Sequence, residues 1–373
     1  MVLTEQQLSQ LETPCLVIDV AQAKRNIERM QQAADAAGCR LRPHVKTHKM
    51  PFFARLQVEA GALGITCAKV SEAEVMADGG LRDIFIAYPM VGAFRIRRAI
   101  ALSRRVDRLI LAVDSLAGAE MLNDAAQEAG VRLEVRLEID TGAGRTGVPV
   151  GQAPGLAAAI AGMTGLELTG IYTFKGLTYQ GKPTTDNALA AKEEGELMAA
   201  AAQALREAGV PVRDVSAGSS PTGVAVAQTG LVNEIRPGTY IFNDHMLCCE
   251  QVADVPDIAV RYVATVVSTP HEGYAVLDGG SKTFPTDVRL HEAPFFYPGY
   301  ALVEGREDLN LVRMNEEHGI VVASSGKTGL HVGETVTLIP LHVCTAVNMQ
   351  NTVYLLENGE LRREKVDARG MLV

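Results

Sequence analysis

A repeated beat in the sequence restricts the fold more than any single motif does. Eight short β-rich runs alternate with Ala-, Leu- and Glu-rich helical stretches. The runs are LRPHVK (41–46), GITCAK (64–69), IFIAYP (84–89), RLILAVD (108–114), LEVRLEID (133–140), ELTGIYTF (167–174), DVSAG (214–218) and EIRPGTYIF (234–242). Helical patterns such as PFFARLQVEAG, SLAGAEMLNDAAQEAG and TTDNALAAKEEGELMAAAAQALREAG lie between them. Several close on glycine, which adopts the left-handed conformation that ends a helix. Strands alternating with helices run parallel, because the chain crosses back before each new strand. Eight such units over roughly 200 residues predict a (β/α)8 TIM-type barrel, with an open doubly wound sheet as the alternative. The count of eight favours the barrel.

From about residue 250 the helical patterns stop and strand patterns replace them, among them IAVRYVATVVST, YAVLDGG, GIVVAS, TVTLIPLHVCT and VYLLENGELRR. This predicts a C-terminal β-domain, with ENGE as a hairpin turn. CLVIDV (15–20) stands outside the eight beats and is assigned to that domain. The expected division is therefore a barrel over 21–245 and a β-domain over 1–20 plus 246–373.

A net charge of −9, with no basic stripe interleaved with aromatics, argues against a nucleic-acid partner. No apolar run approaches the ~20 residues that span a bilayer. The N-terminal segment shows no basic region followed by an apolar one, and the six cysteines have no framework spacing. Both features predict a cytoplasmic protein with reduced thiols.

Against that acidic background, RPHVKTHK (42–49) gathers cations where the first barrel strand meets its loop. Barrel enzymes carry their active sites at the strand C-terminal ends. Lys46 stands there with His44, His48 and Lys49 nearby, and like charge with partial burial disfavours an ammonium and favours a nucleophilic amine. An ion-paired surface lysine is the competing reading. Seven beats on, SAGSSPTG (216–223) supplies small residues and hydroxyls where barrels commonly bind phosphate, and RPGTY adds Gly238 and Tyr240. A lysine that attacks aldehydes and a phosphate loop in one barrel point to pyridoxal 5'-phosphate. DTGAGRTGV (140–148) brings Arg145 to the same mouth, either as a cation toward the cofactor or as a surface arginine. Phe174 ends the sixth run, either against the cofactor ring or in the core. In LHVCT, His342 and Cys344 are two apart; on a strand they share a face, so one ion could take both. Imidazole with thiolate suits zinc better than manganese. Two core residues are the plainer reading. Asp278, Lys282 and His318 either orient substrate or build turns.

In order along nearly the whole chain, TPCLVIDV, RPHVKTHK, GITCAKVSEAE, EIDTGAGRTGV, the GSSPT loop, EIRPGTYIFND, NEEHGIV and HVC are similar to motifs of one family. They resemble the fold-type III, alanine racemase-like pyridoxal phosphate enzymes of the D-threonine aldolase and D-serine dehydratase family. The resemblance implies a Schiff-base role for Lys46 and places Arg145 near the cofactor phenolate. It puts Gly218, Ser219, Ser220, Thr222, Gly238 and Tyr240 in the phosphate segments and makes His342 and Cys344 ligands of a divalent metal, zinc or manganese. It also implies a homodimer and a small D-amino acid substrate. The sequence departs from the family at Leu341, often asparagine, and at Phe174, often histidine or tyrosine. The expected activity is retro-aldol cleavage of a D-β-hydroxy-α-amino acid to glycine and an aldehyde. The first alternative is a D-serine, D-threonine or 3-hydroxy-D-aspartate dehydratase. A non-catalytic pyridoxal phosphate carrier is the alternative from another class.

Overall fold

The computed structural model describes residues 1–373. They form two compact units, one of Glu28–Lys46, Met50–Gly238 and Met371–Val373, the other of Met1–Ile27, Thr47–Lys49 and Thr239–Gly370. After β1 (Cys15–Asp19), eight strands pair side by side in parallel: β2 (Arg40–Leu41), β3 (Ile65–Cys67), β4 (Asp83–Pro89), β5 (Arg108–Val113), β6 (Leu133–Asp140), β7 (Leu166–Tyr172), β8 (Asp214–Ala217) and β9 (Glu234–Ile235). The ring order runs β2-β9-β8-β7-β6-β5-β4-β3. It closes where His44 bridges Thr66 in parallel and Thr66 N donates to Pro43 O at 2.8 Å. The predicted barrel is therefore present.

The predicted helices lie between these strands, with ends set as their sequences dictate. Ser115 caps Leu116–Glu128 by accepting from Gly118 N, and Asp186 caps Asn187–Glu207 by accepting from Leu189 N. Gly130 and Gly209 follow the two helices at φ 63° and 81°.

Two strands are shorter than the sequence suggests, for one shared reason. Runs 41–46 and 234–242 both contain Arg-Pro, and proline has no N–H for the ladder. After Pro43 and Pro237 the chain tightens into 3-10 turns, Val45–Thr47 and Thr239–Ile241. Lys46 and Tyr240 thus sit on turns rather than on strands.

Five of the barrel strands, β2, β4, β5, β8 and β9, begin with a charged residue, and these ends form the floor. Arg42 and Arg136 reach Glu234 from two sides, Arg42 Nε at 3.0 Å, and Arg136 also meets Asp214 at 3.0 Å. Arg42, Arg136, Asp214 and Glu234 are all fully buried. Above them Phe85 meets Tyr172 edge-on, with centroids 5.0 Å apart, within a cluster that includes Ile110 and Ala112.

The second unit contains β1 with β10 (Val260–His271), β11 (Tyr274–Leu277), β12 (Ala301–Val303), β13 (Leu309–Met314), β14 (Gly319–Ala323), β15 (Thr335–Pro340), β16 (Thr352–Glu357) and β17 (Glu360–Lys365). Their order is β11-β14-β13-β12-β15-β10-β1-β16-β17, and β10 also pairs with β11, so six strands close a ring. The length of β10 permits this, because one edge carries β1 at Val260–Val263 and β11 from Val266 onward. Asn358 and Gly359, at φ 52° and 84°, make the β16–β17 turn, as the ENGE pattern requires. β12 and β13 were not apparent from the sequence, being short and irregular in period.

LHVCT does not lie on a strand, contrary to expectation. β15 ends at Pro340, and the segment leaves the ladder before the short helix Ala346–Met349. Its backbone is held from outside the sheet: Leu341 N donates to Tyr300 O at 2.9 Å and Val343 N to Asp244 Oδ2 at 3.0 Å. The alternation survives, with Leu341 and Val343 buried and His342 and Cys344 partly open.

Candidate active site

At the barrel mouth the turn after β2 presents Lys46, whose Nζ lies 5.6 Å from the centroid of the Phe174 ring. From the loop after β6, the Arg145 guanidinium approaches the same ring at 4.5 Å. Phe174 is 37% exposed, so it belongs to the mouth and not to the core. What Lys46 and Arg145 share is this ring; neither has a carboxylate in ion-pairing reach. The other cations of RPHVKTHK go elsewhere. His44 Nδ1 accepts from Lys46 N at 3.3 Å, His48 is buried edge-on to Phe242, and Lys49 is buried with φ 56°.

The Arg145 loop is held from below. Glu138 accepts from Thr146 Oγ1 at 2.9 Å and from the Tyr172 hydroxyl at 2.8 Å. Asp140 Oδ1 accepts from Gly142 N and Gly144 N, and Asp114 from Gly147 N. Burial pushes the Glu138 carboxyl up, against the hydrogen bonds that favour its charged form.

The loop after β8 turns sharply at Gly218, where φ is +83° and a Cβ would come within 2.9 Å of Gly223 Cα. Only glycine fits there. Ser219 N donates to Thr222 Oγ1 at 3.2 Å, and Gly238 N to Ser220 Oγ at 3.3 Å, so Ser219, Ser220, Thr222 and Gly238 are drawn into one cluster. Tyr240 is buried in its 3-10 turn in the other unit. Arg236 joins the loop to the strand that ends before Phe174. Its guanidinium donates to Ser216 Oγ at 2.5 Å and to Thr173 O, and its backbone N to Gly218 O at 3.3 Å. Arg236 was not foreseen, because its partners Ser216 and Thr173 lie far from it in sequence. Unpaired cations around an exposed ring, beside a tight hydroxyl-bearing loop, fit a planar anionic cofactor.

The second unit collects the other candidate residues. Nδ1 of His342 lies 3.4 Å from Asp244 Oδ2, and Nε2 lies 3.9 Å from Asp287 Oδ2. Asp244 is fixed because its Oδ1 accepts from Leu247 N at 3.0 Å, capping His245–Cys249. Cys344 Sγ approaches Thr47 Oγ1 at 3.4 Å and Thr239 Oγ1 at 3.2 Å. Burial draws the imidazole toward neutrality, but Cys344 and Asp244 overcome it and its pKa is pushed up to about 11. An imidazole with a thiol and two carboxylates around it is a donor set that suits a divalent cation. Asp244 at Nδ1 would leave Nε2 as the ligating nitrogen. No group of three or more His, Cys, Asp or Glu side chains is assembled there, so His342 and Cys344 stand as a pair. Asp244 and Asp287 were not foreseen, being distant from HVC in sequence.

Asp278 and Lys282 tie separate segments together, and His318 closes a turn. Asp278 accepts from Thr13 Oγ1 and Thr265 N, Lys282 makes an exposed pair with Glu317, and the exposed His318 accepts from Asn315 N through its carbonyl.

The sequence pattern of the alanine racemase N-terminal domain matches residues 18–245, and that of the serine dehydratase domain matches 259–356. The chain belongs to the alanine racemase-like, fold-type III family of pyridoxal phosphate enzymes. Aldolases and dehydratases, which are lyases, are among its relatives there. It is 37% identical over 350 residues to the D-threo-3-hydroxyaspartate dehydratase of Delftia sp. (strain HT23), covering 90% of this chain and 91% of that one. It is 31% identical over 378 residues to the 3-hydroxy-D-aspartate aldolase of Paracoccus denitrificans (strain Pd 1222), covering 97% and 93%. The crystal structure of D-threonine aldolase from Filomicrobium marinum matches with a TM-score of 0.86 at 29% identity, covering 98% of each chain. These relatives are enzymes and extend over both units, which counts against a non-catalytic carrier.

Proposed function

We propose that the chain is a pyridoxal phosphate- and divalent metal-dependent lyase of D-β-hydroxy-α-amino acids. The observation that carries this reading is the convergence of Lys46 and Arg145, both without carboxylate partners, on the exposed Phe174 ring. In this reading Lys46 binds the cofactor aldehyde, Arg145 faces its ring oxygen and Phe174 lies against the ring. Gly218, Ser219, Ser220, Thr222 and Gly238 form the phosphate segments, and the family resemblance alone adds Tyr240. Bound there, the cofactor supplies a sink for the electron pair released at Cα. Lys46 Nζ would then be the base placed to take the α-proton in the dehydration reading. His342 and Cys344 would hold a divalent metal, zinc better than manganese because one ligand is sulfur, and that ion would supply Lewis acidity toward a substrate oxygen.

We place loss of the β-hydroxyl as water first, after which hydrolysis of the resulting imine gives a 2-oxo acid and ammonia. The 37% identity to a D-threo-3-hydroxyaspartate dehydratase supports this order. Retro-aldol cleavage, the reading the sequence puts first, is the second, supported by the aldolase relatives that match over both units. Incubation of the holoenzyme with D-threonine, D-serine and 3-hydroxy-D-aspartate decides between them. A 2-oxo acid with ammonia is expected; glycine with an aldehyde establishes the aldolase instead, and turnover of none of the three refutes the lyase reading. Exhaustive chelation should abolish turnover, and activity that survives it removes the metal role. No helix is long and apolar enough to cross a membrane, and all six cysteines are free. The free thiols support a cytoplasmic home, and family resemblance supports a homodimer.

A further inference from the structure

Beneath the loop after β8 lies a carboxylate that the proposed chemistry does not use. Glu194, on the helix Asn187–Glu207, is fully buried. One of its oxygens accepts from Gly218 N at 2.9 Å and the other from Thr222 Oγ1 at 2.9 Å. Thr222 Oγ1 in turn receives Ser219 N at 3.2 Å. A single side chain therefore holds both ends of the segment 218–222. Its position is unusual, because an anion sits directly under a loop whose composition suits an anion. No cation forms a direct ion pair with it. Lys175 is engaged with Glu193 at 2.7 Å and with Thr178 O, and Arg236 with Ser216 and Thr173. Burial raises the carboxyl pKa, so the group stays only because the loop N–H and hydroxyl satisfy it.

We propose that Glu194 is a positioning residue that shapes the 218–222 loop into a cradle for the cofactor phosphate. It does so by taking Gly218 N–H and Thr222 O–H out of the ligand's reach and locking the turn, leaving the anion to the other donors of the loop. Gly218 and Thr222 then act by setting the loop's shape rather than by direct contact with phosphate. This rests on the reading that the loop holds the phosphate of pyridoxal phosphate.

The test is a titration of the full-length apoprotein with pyridoxal phosphate and, separately, with pyridoxal, which lacks the phosphate. Binding is followed by the absorption band of the lysine-bound aldehyde. The wild type should bind pyridoxal phosphate far more tightly than pyridoxal. Glu194→Gln keeps the shape but replaces one acceptor with a donor. It should weaken pyridoxal phosphate about tenfold while leaving pyridoxal within about twofold, and Glu194→Ala should lose more. Glu193→Gln, which removes a carboxylate bonded to Lys175 and Gln180 rather than to the loop, should leave the ratio unchanged. Equal weakening of both ligands in Glu194→Gln, or of neither, overturns the positioning role while the phosphate reading stands. A wild type that does not distinguish the two ligands overturns the phosphate reading itself. Thermal melts of the variants show whether the loss is confined to the loop, and a Glu194→Ala protein that fails to fold leaves the isosteric Gln variant to decide.

Discussion

At the floor of the barrel Arg42 and Arg136 converge on Glu234, and at the mouth Lys46 and Arg145 converge on Phe174. Both ends gather cations, but in opposite states. The floor is sealed: Arg42, Arg136 and Glu234 are 0% exposed, and each charge has an opposite partner within hydrogen-bond reach. The mouth is open, and its cations lack carboxylate partners. Burying an unpaired charge costs several kcal/mol, so a buried arginine must be matched within the fold. A solvated one can wait for a ligand. The same residue types thus serve structure at one end and binding at the other, and exposure together with partner separates the two.

Breaking each end should give different signatures. The largest effect is expected at the mouth, where Lys46→Ala should lower turnover by about 10³-fold or more and erase the absorption band of the lysine-bound cofactor. Its unfolding midpoint should barely move; a large drop would mean that Lys46 belongs to the scaffold.

Glu234→Gln should do the reverse. Leaving Arg42 and Arg136 facing a neutral group should cost about 3–5 kcal/mol in urea unfolding. A cost below about 1 kcal/mol would show that the floor network is dispensable. The same network sets an acid limit. Burial alone would raise the Glu234 carboxyl, but Arg136 and Arg42 hold it well below the usual carboxylate range. A folded-state pKa below the unfolded value means that this stability is present above the unfolded carboxylate pKa of about 4.3 and is lost as pH falls through and below it. Glu234→Gln should therefore flatten the acid limb of a stability–pH profile, and an unchanged limb would count against the assignment.

The smallest effect sharpens the contrast. Arg145→Gln should weaken pyridoxal phosphate binding about tenfold with unfolding unchanged, as expected for an exposed cation whose partner is the ligand. Unaltered binding would return Arg145 to the surface.

Much of this was legible in the chain. The alternation of β-rich and helical runs determined a parallel barrel, because consecutive parallel strands need a crossover. Lys46, Arg145 and the 218–222 loop could be located because barrels put chemistry at strand ends, so position along the beat stands in for position in space. The hairpin at Asn358–Gly359 was readable because only residues tolerant of positive φ suit it. Other features depended on partners remote in sequence. Five strands begin with a charge, yet the network is visible only once the ring order sets Arg40 and Arg42 beside Glu234 and Asp214. The strand assigned to HVC was wrong because Pro340 ends the ladder and Tyr300 and Asp244 take over its backbone.

By itself, then, the sequence determined the period, the barrel and which side chains are chemically able, since those follow from local propensity and the geometry of crossover. The tertiary structure decided which of those able groups are already neutralised and which are left for a ligand. Charge pairing and burial depend on atoms brought together from distant parts of the chain, and no local pattern encodes them. Glu194 illustrates this: in the sequence it is one acid in a helix of alanines and glutamates, and in the fold it is the carboxylate that holds Gly218 and Thr222.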